Sequence, residues 1–434
     1  MRNMRVEMLR VAAIVGIAVF HTFQPWFTVV ASTTPIDQLP EGLQPVAANP
    51  AAMWILGMTA LLGACGNHIF YMISGFYLIP SAAGRSLRAD SAEDVNGMGS
   101  ANGENGACDA ENRRTATGYW RGQCAATARR AAIIILSVLF YVIVCAVINM
   151  VVPVPRFGAI GWWGMGLEFV WLYLVFVAVS PFAGWAFARM DARLLRAFAA
   201  VALTVVFALN AYIAFVAPEG GRGLTDWRKL MSAVTYLASF LFAGILGMRV
   251  RAAARTRDEA RRGATMSPRF WRRALVAVII VTAILEAVFA GTLVRGLLMA
   301  MSFKSTSLAS FLAAWFALMT AASGDGTTAA RTAGATGPRG GTRGDGPAAC
   351  PRIVRFAGTV ASGILGFYIA QSLLNGLWHD ECTAFMTSIA MHGGWHVAAA
   401  IAFGIVFSML FVLVVTMVDR FTRQPLLRAM RLLR

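Results

Sequence analysis

Charge is what this sequence has least of. Only 14% of its 434 residues are Asp, Glu, Lys or Arg, against roughly 25% in an ordinary soluble domain. Hydrophobic residues make up 58% of the chain and the mean hydropathy is +0.63, which excludes a soluble enzyme. Cysteine is scarce and scattered. Cys65 and Cys145 fall in apolar runs, Cys108, Cys124 and Cys350 in polar loops, and Cys382 stands alone on the opposite side. That pattern offers no disulfide framework and no zinc spacing. Acidic residues are few as well, 21 against 38 Lys and Arg, for a net charge of +17. No internal repeat is visible, which counts against a transporter built from two related halves.

Apolar runs fill the space that charge leaves. Ten of them, at 8–30, 51–79, 131–152, 162–186, 196–217, 230–249, 274–295, 302–322, 353–377 and 394–418, have the length or composition of membrane-crossing helices. The predicted fold is an all-α integral membrane bundle of about ten transmembrane helices, one domain over 1–434. The first run is read as a retained helix. It continues past His21 through Trp26 and Phe27, beyond an ordinary signal-peptide core. All but six of the 38 Lys and Arg fall on one side when spans alternate, the exceptions being Arg156, Arg222, Arg228, Lys229, Arg295 and Lys304. By the positive-inside rule both termini are cytoplasmic. Topology accounts for this basic charge, and no nucleic-acid partner is expected.

Two inner segments, 81–118 and 323–352, are rich in Gly, Ala, Ser and Thr and are expected to be disordered cytoplasmic loops. The basic segment 249–273 has the composition of an amphipathic helix on anionic lipid. Segments 31–50 and 378–393 are read as outer connections. Trp26, Trp54, Trp162, Trp163 and Trp378, near span ends, are read as interfacial anchors.

Two ionisable residues stand out in the first run. From Arg10 to His21 a helix advances about 1100°, about 20° past three turns, and about 16 Å along its axis. The two therefore share a face at different depths, and an intramembrane ionisable group is by default a candidate for function. The bland alternatives are a snorkelling arginine and an imidazole hydrogen-bonded between helices.

The Arg10–His21 spacing resembles the signature of the membrane-bound acyltransferase 3 family. The run Phe70-Tyr71-Met72-Ile73-Ser74-Gly75-Phe76 resembles that family's F-F-x-I-S-G-F/Y motif. Phe169-Val170-Trp171-Leu172-Tyr173-Leu174 with Ser180-Pro181-Phe182 is similar to its H-L-W-F-L…P-F segment, and Gly366-Phe367-Tyr368-Ile369-Ala370-Gln371 to its G-I-Y-L-x-H stretch. The resemblance implies a multi-pass cell-membrane O-acyltransferase. Its donor would be acyl-CoA, acetyl-CoA first among them, and its acceptor a glycan or lipid-linked sugar hydroxyl. No metal is expected. His21 would then act as general base or transient acyl carrier, and Arg10 would orient donor or acceptor. Arg121, Arg129 and Arg130 would hold the nucleotide phosphates. Phe70, Tyr71, Ser74, Gly75, Trp171 and Tyr368 complete the candidate site, with Ser74 and Gly75 also suited to close helix packing.

The chain departs from the pattern at two positions, where Phe169 and Gln371 stand for the family's histidines. They motivate one rival, a family member that binds acyl-CoA without transferring. A second rival is a carrier or exporter of a polar lipid or small solute, motivated by Glu286 within its span and by the outer set His379, Asp380, Glu381, His392 and His396.

Overall fold

The computed structural model describes residues 3–99, 116–155, 157–159, 166–216, 224–255, 267–302, 307–323 and 351–432. Among them every regular element is a helix: α1 Met4–Val30, α2 Gln44–Ala47, α3 Pro50–Gly99, α4 Ala116–Asn149, α5 Glu168–Arg189, α6 Ala192–Phe215, α7 Leu224–Arg255, α8 Pro268–Gly291, α9 Arg295–Met301, α10 Leu308–Ala322, α11 Pro351–Ser362, α12 Ile364–Leu373, α13 Asn375–Ala390, α14 Trp395–Phe421 and α15 Arg423–Ala429. The starts follow local chemistry. Asn3 caps α1 by accepting from the backbone N–H of Arg5 and Val6 at 2.9 and 3.3 Å, and Asp191 caps α6 through Arg193 and Leu194. Those two backbone donors hold the Asp191 carboxyl below its usual range.

Eight of these helices are long and apolar enough to cross a membrane. Of the ten predicted runs, the eighth forms the 15-residue α10, about 22 Å long and short of a full crossing by itself. The ninth is broken into α11, α12 and the start of α13, with breaks at Gly363 and Leu374. On α6 and α8 the apolar residues point outward: Val201, Val205 and Leu209 on one, Ile280, Ile284 and Val288 on the other, are exposed. A bilayer would cover such faces.

The 50-residue α3 is the axis of the bundle, packed along α1, α5, α7, α8 and α10. Apolar burial alone does not draw helices together in lipid, so close approach of small residues carries much of the contact. At Gly75 an added Cβ would run into the Phe240 carbonyl of α7. Two expectations are corrected here. The helix does not stop at 79: it continues to Gly99, and Ala82, Ala83 and Ser86 are buried, so the first part of 81–118 is packed helix. Segment 100–115 and most of 323–352 lie outside the described residues, as does 256–266 of the basic segment.

The segments read from sequence as outer connections are likewise more built than expected. Residues 375–390 form α13, and Leu39, Leu43, Val46 and Ala47 pack with Cys382, Met386 and Ala390 over the end of α1. Trp26 is part of that core. It is fully buried and its Nε1–H donates to Thr387 at 3.0 Å, so it is no interfacial anchor.

Candidate functional site

His21 lines a cavity of about 790 Å³ between α1, α3, α5, α7 and α12. Four of these helices contribute pairs of polar residues, His21 and Gln24 from α1, Asn67 and Tyr71 from α3 and Ser232 and Tyr236 from α7 at helical spacing, and the adjacent Gln371 and Ser372 from α12, with Asn375 at the α13 start. Glu168 and Lys229 stand at one end, 3.6 Å apart and about two-thirds exposed. The polar lining groups of the interior are amides, hydroxyls and one imidazole, set among aromatic rings and the aliphatic side chains of Ala64, Leu172, Val175 and Ala233. Such a wall can accept and donate many hydrogen bonds without carrying net charge.

Internal bonds fix its geometry. Tyr368 donates to Asn67 Oδ1 at 3.2 Å, and Tyr71, fully buried, donates to the Phe169 carbonyl at 3.0 Å. The Phe169 ring stacks on Tyr368, centroids 4.3 Å apart and planes at 18°. Beyond the pair lies a crevice with no room for a water, bordered by Phe70, Phe169, Tyr173, Ile364 and Tyr368. The two positions at which the sequence departs from the acyltransferase 3 pattern thus both face the His21 cavity. Phe169 closes its floor and Gln371 lines its wall.

Of the residues singled out from sequence, His21, Tyr71, Trp171 and Tyr368 meet at this cavity, and Phe70 borders the crevice behind it. Arg10 does not line it. Its guanidinium pairs with Glu7 at 2.9 Å, about a third exposed, nearer the start of α1. Ser74 donates to the Phe70 carbonyl of its own helix at 3.0 Å, so Ser74 and Gly75 serve packing. The three arginines of α4 do not form one patch. Arg129 donates to the backbone carbonyls of Arg431 and Leu432 at 3.3 and 2.9 Å, Arg121 is exposed, and Arg130 is within electrostatic reach of Arg85 and Tyr173.

Sequence reasoning missed Gln24, Asn67, Ser232 and Tyr236. Their signal was readable: polar residues three or four apart within otherwise apolar helices. It also missed a second polar centre. Asp419, fully buried, accepts from Tyr141 at 2.7 Å, from Arg423 at 2.6 and 2.9 Å and from Gln424 at 3.0 Å. Ser137 accepts from the same guanidinium at 2.9 Å. This network ties α4, α14 and α15 together and is internally satisfied.

Elsewhere, buried Glu286 accepts from Ser302 at 2.6 Å through one oxygen, while the other has no hydrogen-bond partner. His68, also buried, bonds Ser239 at 2.9 Å behind Tyr236. His379 pairs with Asp380 at 3.2 Å, and the His392 and His396 rings lie 5.3 Å apart. Among the described residues no three His, Cys, Asp or Glu side chains converge as a metal site. Comparison of the chain with protein-family models, curated proteins and solved structures finds no match.

Proposed function

We propose that this chain is an integral membrane O-acyltransferase. It would move an acyl group, acetyl first among candidates, from cytoplasmic acyl-CoA to a hydroxyl of a cell-surface polysaccharide or lipid-linked glycan precursor. The observation that carries this reading is the position of His21 in a roomy cavity lined by amides, hydroxyls, aromatic rings and aliphatic side chains, with the Glu168–Lys229 pair at one end. Neutral donors and acceptors suit a polyhydroxylated acceptor, aromatic faces suit the apolar face of a sugar ring, and an imidazole is the side chain best matched to removing a hydroxyl proton near neutral pH. The order of the Arg10–His21, Phe70–Phe76, Phe169–Leu174 and Gly366–Gln371 stretches supports the same assignment.

In this reading ten segments cross the cell membrane, α10 and the broken α11–α12 unit among them, and both termini are cytoplasmic. Arg10, held by Glu7 near the inner end of α1, orients the incoming donor. Arg130, with Arg85 near it, takes the phosphates, and Arg129 is engaged by the C-terminal carbonyls instead.

Membranes containing the protein, supplied with radiolabelled acetyl-CoA, test the proposal. Label is expected in a glycan or lipid-linked fraction with the wild type and is expected to vanish with His21→Ala at unchanged membrane yield. Transfer by that variant at the wild-type rate overturns the role of His21. Donor binding without transfer indicates the non-transferring rival, and neither binding nor transfer favours a carrier, for which the half-satisfied Glu286 would be the proton site.

A further inference from the structure

Hydrogen bonds are unevenly distributed around the His21 cavity. At its floor the polar groups are engaged with one another, Tyr368 donating to Asn67 and Tyr71 to the Phe169 carbonyl. Elsewhere on the wall the reverse holds. Gln24, Ser232, Ser372 and Asn375 line the same space, each is half-buried or exposed, and none of these four side chains hydrogen-bonds another described residue. They come from α1, α7, α12 and α13, so their meeting is a product of the fold and not of one solvated helix face. Their places along the helices agree. Gln24 lies within about two turns of the end of α1 and Ser232 about two turns from the start of α7. Ser372 is next to last in α12, and Asn375 opens α13. With spans that alternate in direction, all four belong to the half of the bundle opposite the N-terminus, away from Arg10.

Their chemistry is narrow. Two carboxamides and two hydroxyls can each donate and accept, which matches neighbouring hydroxyls that do the same. The cavity's charged pair, Glu168 and Lys229, is already matched internally at 3.6 Å. A few convergent polar groups among rings and aliphatic side chains are what orients a ligand in a pocket. Resting on the acyltransferase reading, we propose that Gln24, Ser232, Ser372 and Asn375 are the acceptor-binding rim of this cavity. They hold an uncharged, polyhydroxylated sugar that enters from the face opposite Arg10 and present one of its hydroxyls to His21. Gln24 and His21, three residues apart, share a face of α1, so a ring bonded to the carboxamide stands beside the imidazole. The rim acts on acceptor affinity and selection, and the proton transfer stays with His21.

Two measurements test this. The first is thiol release from acetyl-CoA by purified wild type, Gln24→Ala and Asn375→Ala, with membranes of the producing cells titrated as the acceptor source. Each variant is expected to raise the half-saturating amount of acceptor about 3- to 10-fold, with kcat and the KM for acetyl-CoA little changed. Melting midpoints in detergent are expected to stay near that of the wild type, because neither side chain bonds another described residue. The second is the reaction of Ser232→Cys with a membrane-impermeant maleimide, in a background with Cys65, Cys108, Cys124 and Cys350 replaced by Ser. The introduced thiol is expected to react in intact cells. Wild-type half-saturation in both alanine variants, a shift confined to acetyl-CoA, or labelling only in inverted vesicles overturns the inference while leaving the acyltransferase reading in place. No acetyl-CoA turnover by the wild type overturns both.

Discussion

Tyr368 shows how much one side chain settles at this site. Its hydroxyl binds Asn67 and its ring covers Phe169, so it holds α12 against α3 and α5 by two separable contacts. Tyr368→Phe removes only the first and is expected to cost about 1 kcal/mol, read as a small fall in the melting midpoint. Tyr368→Ala removes both and should cost roughly 3–5 kcal/mol. The two variants melting alike would mean that the ring contributes nothing. His21 and Tyr368 were legible because each stands in a recognisable pattern of residues. Arg10 was placed on the correct helix, but the spacing argument could not see Glu7 three residues earlier capturing its guanidinium. Periodicity gives a face of a helix, and the partner that a long flexible side chain selects on that face is decided by local competition.

At the scale of elements, the long helices were readable from apolar length and their ends were not. The second run loses its apolar character near residue 80, yet α3 continues because Ala82, Ala83 and Ser86 still find partners to pack against. Gly184 of α5 lies against Ala82 and Ala83. The run 353–377 reads as one span by hydropathy, but Gly363 and Leu374 interrupt it and form the breaks that bring Gln371 and Asn375 to the cavity. The Asp419 network was hidden for a different reason. Asp419 and Arg423 look like an ordinary surface pair four residues apart, and only the meeting of α14, α15 and α4 buries them. Breaking such a pair on one side leaves a buried charge, so Asp419→Ala is expected to cost roughly 3–5 kcal/mol, measurable as lost thermal stability in detergent. At the α3–α7 contact, Gly75→Ala sets a methyl group against the Phe240 backbone and should cost about 1–3 kcal/mol. A melting midpoint equal to that of the wild type would show that the helices yield freely there.

Across the whole molecule, side and depth are the properties to establish. Cys124 is exposed on the basic portion of α4, whereas Cys145 and Cys382 are buried, and burial pushes the Cys382 thiol up to about 11. A variant in which the half-buried Cys65, together with Cys108 and Cys350, is replaced by Ser therefore carries one readily labelled thiol. A membrane-impermeant maleimide is expected to modify it in inverted vesicles and to leave it untouched in intact cells. Labelling of intact cells would reverse the orientation inferred from the basic residues.

The stacked Phe169 and Tyr368 rings belong at once to the floor of the His21 chamber and to the roof of the dry crevice behind it. They act as a bulkhead two rings thick. Passage of a molecule between the two spaces requires at least one ring to swing aside, and while the rings stay stacked the crevice admits no water.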